Sequence, residues 1–196
     1  MKKDHKISII GLGYVGLPLA LAFSEYYKVV GYDVNQQRIL DLNKGIDSNL
    51  DVVVKENSNL IFSNEKIDLK ESNIYIITVP TPVDENNFPD LSFLKSASEL
   101  VANSLLDGDI VIYESTVYPG VTEDFCMPIL AKISKLSYNV EFFCAYSPER
   151  ISPSAKKYTL QNVVKVTSGS TEKIAAIVDE LYKKIIKVGT YRAPSI

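Results

Sequence analysis

Scarcity frames this sequence. Two cysteines in 196 residues are too few to staple a chain of this size into a disulfide framework. The single histidine, His5, stands in a charged start and is assigned no role. No Cys/His cluster has metal-ligand spacing, so no metal is expected. Lys and Arg number 21 against 24 Asp and Glu, for a net charge of −3. That balance argues against a nucleic-acid-binding footprint. No uninterrupted apolar stretch approaches the roughly 18 residues of a spanning helix. The run after Lys6 is broken by Gly11, Gly13 and Gly16, and no secretory signal is seen. The expectation is a cytoplasmic protein with reduced thiols and neither a nucleic-acid nor a membrane partner.

A 46% hydrophobic share is enough for a core and excludes a largely disordered chain. Short β-branched runs alternate with helical periodicity. Strands are predicted over 6–10, 28–32, 59–63, 73–79, 109–113, 140–145, 163–167 and 185–188. Helices are predicted over 14–26, 35–42 (with Asn35 as N-cap), 91–105, 121–133 and 171–183. That order calls for a mainly parallel sheet covered by helices on both faces. Two turn-rich segments, 81–90 and 147–154, directly follow strands. In an open parallel sheet such loops line the ligand crevice.

Gly11-Leu12-Gly13-Tyr14-Val15-Gly16 matches G-x-G-x-x-G where a strand closes and a helix opens. Gly11 permits the tight turn, Gly13 lets backbone approach a pyrophosphate, and Gly16 lets the helix pack closely. Tyr14 and Val15 offer contacts at the same turn, or simple helix packing. Asp33 follows the second strand, 22 positions after Gly11, where a carboxylate can accept from both ribose hydroxyls. It repels a 2′-phosphate, which favours NAD over NADP. Arg38, one turn into the next helix, can cover the adenine or bind a phosphate, which leaves some NADP tolerance open. Together these features predict an α/β, Rossmann-type doubly wound fold that binds a dinucleotide. A purely structural glycine turn and a flavin are the weaker readings.

Three more motifs follow in order at strand ends: Val79-Pro80-Thr81-Pro82, Glu114-Ser115-Thr116-Val117-Tyr118-Pro119-Gly120 and Tyr146-Ser147-Pro148-Glu149-Arg150. With the glycine turn, they resemble the nucleotide-sugar 6-dehydrogenases that act on UDP-glucose, UDP-N-acetylhexosamines or GDP-mannose. The Ser-Pro-Glu-Arg form, with Val163 to Thr171 after it, is closer to the UDP-N-acetylhexosamine branch. The resemblance implies oxidation of a sugar C6 alcohol to the acid with two NAD, for surface polysaccharide synthesis. It further implies a UDP-sugar substrate and a full-length homodimer paired mainly through a central helix. Members of the family run to about twice this length and carry the nucleophilic cysteine in their second half. Residues 1–196 are therefore expected to be the NAD-binding domain alone, inactive by itself.

By the same resemblance, Thr116 contacts cofactor and helps position the catalytic water, against the plainer reading of a turn cap. Thr81 is read as a cofactor contact or as Pro-flanked turn geometry. Glu149 is the expected general base in the hydrolytic step, although as a bare feature it is a loop glutamate. Arg150 and Ile151 match positions that touch the nucleotide sugar. Cys126 and Cys144 read as small core hydrophobes, neither in the family's nucleophile context. Two rivals remain open: a UDP-glucose or GDP-mannose enzyme, and a non-catalytic NAD-sensing module.

Overall fold

A computed structural model describes residues 4–47, 54, 56–149 and 162–196. Six strands form one sheet: β1 (Lys6–Ile10), β2 (Lys28–Tyr32), β3 (Leu60–Ser63), β4 (Ile74–Ile77), β5 (Asp109–Tyr113) and β6 (Phe142–Tyr146). Their order is β3-β2-β1-β4-β5-β6, and every pairing is parallel. This is the doubly wound Rossmann order expected from the alternating pattern. The sheet reverses direction of growth between β1 and β4, and a crevice opens there beyond the carboxyl ends of the strands.

The strands read as continuous apolar runs because both faces are covered. Ile74 and Ile76 point to one face, with Leu17, Leu19 and Phe23 of α1 (Gly16–Ser24) and Ile174 and Val178 of α5 (Glu172–Lys183). Tyr75 and Ile77 point to the other, with Leu94 and Val101 of α3 (Ser92–Ala102) and Leu130 of α4 (Met127–Ser134). Burial of each such side chain contributes about 1.5–3 kcal/mol, so each face is stabilised separately. The helix α2 (Gln36–Asn43) begins as expected, with the Asn35 side chain accepting from the Arg38 N–H at 3.2 Å. Thr171 caps α5 in the same way, accepting from the Ile174 N–H.

Three local readings need correction. The strand predicted over 185–188 is absent. Ile185 and Ile186 are buried, and their N–H groups return to the Tyr182 carbonyl as the end of α5 tightens. Their apolarity serves the helix side of the core. The strand lies further on, β8 (Thr190–Arg192), and pairs in parallel with β7 (Lys165–Thr167) as a separate two-stranded ribbon. The helix predicted over 121–133 is split into a π-helical turn, Val121–Cys126, and α4. Pro128 lacks an N–H to return to the preceding turn, which favours the wider winding. A 3₁₀ segment, Lys66–Glu71, occupies a stretch where no element was predicted.

Cys126 and Cys144 are fully buried free thiols, as core residues should be. Burial pushes the Cys126 thiol up to about 11 and raises Cys144 as well. Thiol titration at pH 8 is therefore expected to label neither cysteine in the native chain and both in denaturant. The native rate should be lower by about a thousandfold or more, because access requires opening of the core. Among the described residues, no helix is long and apolar enough to cross a membrane. Nor does any group of three His, Cys, Asp or Glu gather there as metal ligands.

Candidate functional site

The glycine turn sits at the mouth of the crevice. Gly11 has φ +96°, a backbone state that side chains disfavour, and its N–H donates to the Tyr32 carbonyl at 2.8 Å. The Thr78 hydroxyl, just past β4, donates to the Gly11 carbonyl at 2.7 Å, with the Ile10 carbonyl at 3.1 Å. A Cβ at Gly16 would lie 1.9 Å from the Gly11 oxygen and 2.5 Å from the Thr78 hydroxyl. Only glycine fits that approach of helix to turn. A Cβ at Gly13, by contrast, would meet nothing within 4 Å. The chain leaves open space beside Gly13. Helix α1 has no side-chain cap bond and no acidic residue in its first turn, so nothing of its own competes with a phosphate there.

Asp33 follows β2 and is pinned on both oxygens. One accepts from the Leu12 N–H at 2.8 Å and the other from the Asn35 N–H at 2.9 Å. A carboxylate oxygen has further acceptor capacity, so the fixed group still suits a ribose diol. Arg38, expected to cover the adenine or bind a phosphate, is buried. Its Nε donates to the Leu12 carbonyl at 3.0 Å and its Nη1 to Asp47 at 2.6 Å. Its buried Nη2 has no hydrogen-bond partner among the described residues. Arg38 also lines a depression together with Gly13, Asp33 and Asn35. The pinned Asp33 carboxylate thus stands at the edge of this depression, with the Arg38 guanidinium held beneath it.

On the other side of Asp33, a largely apolar cleft of about 1130 Å³ runs between the ends of β2 and β4. Val34, Ile67, Val79, Pro80 and Leu100 line it, which suits a flat base. The loops after β4 and β5 are tied together across the crevice. The Thr81 hydroxyl donates to the Thr116 carbonyl at 2.6 Å, and the Ser115 hydroxyl donates to the Val79 carbonyl at 2.6 Å. Thr116 itself is exposed, as is Tyr14, while Val15 packs against the core.

Beyond β5 and β6 lies a buried ionic cluster. The Lys165 ammonium donates to Glu114 at 2.7 Å and to Glu149 at 3.1 Å, with the Pro148 carbonyl at 3.3 Å. The Tyr182 hydroxyl makes a short bond to the second Glu114 oxygen. Burial pushes the Glu114 carboxyl up, against the pull of the Lys165 ammonium. Burial alone would lower Lys165, but its two carboxylate neighbours outweigh it and hold the lysine above its ordinary range. Burial and Glu114 both raise the Tyr182 phenol, which stays a proton donor.

Comparison with known proteins decides the family. The NAD binding domain of the UDP-glucose/GDP-mannose dehydrogenase family matches residues 5–186. The chain belongs to that family. The cofactor of the matched domain is NAD. The chain is 53% identical to the UDP-N-acetyl-D-glucosamine 6-dehydrogenase of Pseudomonas aeruginosa, covering 99% of this chain and 47% of that enzyme. It is 54% identical to the Salmonella typhi enzyme of the same name, covering 98% and 46%. The structure of the UDP-D-ManNAc dehydrogenase from Pyrococcus horikoshii superposes with a TM-score of 0.88 at 33% identity, covering 97% of this chain and 47% of that one. The chain thus spans about half the length of the curated relatives it matches.

Within this family frame, Gly11, Gly13, Gly16, Asp33 and Arg38 converge on one crevice, and Thr81 and Thr116 meet beside it. Glu149 stands apart from the glycine turn, at the β6 side of the sheet. Arg150 and Ile151 lie outside the described residues. Lys165 and Tyr182 were not singled out from the sequence, and Glu114 appeared only as part of a motif. The available signals were a lone lysine inside the β-branched run 163–167 and a glutamate closing the apolar strand β5.

Proposed function

We propose that this chain is the NAD-binding half of a nucleotide-sugar 6-dehydrogenase, and that its substrate class is the UDP-N-acetylhexosamines, UDP-N-acetyl-D-glucosamine first among them. The observation that carries this reading is the Asp33 carboxylate, held by the Leu12 and Asn35 N–H groups beside an unobstructed Gly13. Identities of 53% and 54% to the two glucosamine enzymes, against 35% for the Pyrococcus horikoshii mannosamine enzyme, support the choice of sugar.

NAD, when bound, supplies a hydride acceptor for the sugar C6. The backbone of Gly11 to Gly16 takes the pyrophosphate, with Tyr14 and Val15 at the turn. Asp33 takes the adenosine ribose, and Arg38 offers its remaining donor nearby. Thr81 and Thr116 shape the far side of the crevice, and Glu149 is the general base that draws a proton from water. Residues 1–196 form the cofactor domain of a longer enzyme, with the rest of the catalytic groups elsewhere.

Calorimetric titration tests this directly. NAD is expected to bind the chain, NADP to bind more weakly, and Asp33→Ala to weaken NAD at least about tenfold by removing charge-assisted hydrogen bonds to the ribose. Unchanged NAD affinity in that variant would overturn the reading. A UDP-sugar mixed with NAD and this chain alone is expected to give no NADH.

A further inference from the structure

We infer that Lys165 is a positioning residue for the same site: its buried ammonium clamps the loop after β6 to the end of β5 and so fixes where the Glu149 carboxylate stands. The inference rests on the assignment of Glu149 as base given above. An ammonium has three N–H groups, and here three acceptors surround it: Glu114 Oε2, Glu149 Oε2 and the Pro148 carbonyl. Two of the three belong to consecutive residues of one loop. The third is anchored in turn by Tyr182 of α5, whose ring also lies 5.5 Å from Nζ. Lys165 comes from β7, outside the six-stranded sheet. It therefore ties three separate pieces of chain at one point.

The burial is nearly complete. The side chains of Lys165, Glu114 and Glu149 are 3%, 0% and 8% exposed. Stability alone does not call for such a cluster, since a buried ion pair roughly breaks even against apolar residues of the same volume. What it provides is geometry, because three contacts of 2.7, 3.1 and 3.3 Å direct the lysine at once to Glu114, Glu149 and Pro148. The other titratable groups facing the cluster are Tyr146 of β6 and Tyr182, both raised by burial and both neutral donors. Lys165 is thus a cation shared by two carboxylates from separate pieces of chain.

The test is nuclear magnetic resonance on the 196-residue chain, reading side-chain order at Glu149 with labelled glutamate. In the wild type the side chain should be rigid. In Lys165→Met its order parameter should fall below about 0.6, while the amides of β5 and β6 keep theirs, and Lys165→Arg should restore most of the loss. A Glu149 that stays equally ordered in Lys165→Met overturns the inference. Should that variant fail to fold, Glu149→Gln decides. The exchange-protected ammonium signal of Lys165 must then shift and broaden, and an unaltered signal overturns the clamp. NAD affinity should stay within about twofold in Lys165→Arg, because Glu149 stands apart from the glycine turn and Asp33. A wild type that binds no NAD would remove the proposed function and leave the clamp standing.

Discussion

The Gly13→Ala chain is expected to be at least as stable as the wild type and to have lost most of its affinity for NAD. No protein atom lies within 4 Å of the new methyl group. Its effect on folding is the usual gain of about 0.4–1 kcal/mol from a less free unfolded chain. The same methyl fills the approach to a pyrophosphate, so NAD should bind ten- to a hundredfold more weakly, about 1.4–2.7 kcal/mol. Gly16→Ala should behave in the opposite way. Its methyl would fall 1.9 Å from the Gly11 oxygen, against backbone that cannot step aside cheaply. Overpacking of this kind costs about 1–3 kcal/mol or more. Urea melts beside NAD titrations of both variants separate a glycine kept for a ligand from one kept for the fold. Equal losses of stability in the two would contradict the argument.

Lys165→Met is expected to be the most destabilising single change in the buried cluster. It leaves Glu114 and Glu149 facing one another without their shared cation. Breaking a buried pair by removing one partner costs about 3–5 kcal/mol. The pH dependence gives the cause. Burial already raises the Glu114 carboxyl, and loss of the lysine raises it further. A carboxyl whose folded-state value is raised penalises folding above that value and ceases to do so below its unfolded one. The deficit should shrink as the pH falls toward the ordinary 4.5 of glutamate. Denaturant midpoints of variant and wild type at pH 7 and pH 4.5 check this. A deficit independent of pH would point to lost packing instead of abandoned charge.

Much of this architecture is legible in one dimension. Parallel strands buried on both faces leave uninterrupted apolar runs, and β1, β2 and β5 fall where those runs predict them. Asn35 and Thr171 mark their helix starts because a capping side chain serves its own neighbourhood. The glycine turn and Asp33 are readable for the same reason, since 22 positions of a strand-turn-helix-strand unit bring them together. What escaped depends on contacts distant in sequence. Ile185 and Ile186 are as apolar as any strand, and only the packing of α5 shows that they finish a helix. That Arg38 is spent on Asp47 and the Leu12 carbonyl could not be read, because both partners come from outside its own helix. Glu114 and Lys165 are 51 positions apart, and no periodicity links a strand end to the start of a separate ribbon.

The bond from the Thr78 hydroxyl to the Gly11 carbonyl has a wider meaning. It welds the loop that follows β4 to the loop that follows β1, so the glycine turn proposed to take the diphosphate is held in shape by the chain itself. A guest arriving there finds little slack to take up, and a guest leaving lets little spring back. Exchange of one dinucleotide for the next should then be paced by diffusion and by the molecule's own handholds, with no refolding step in between.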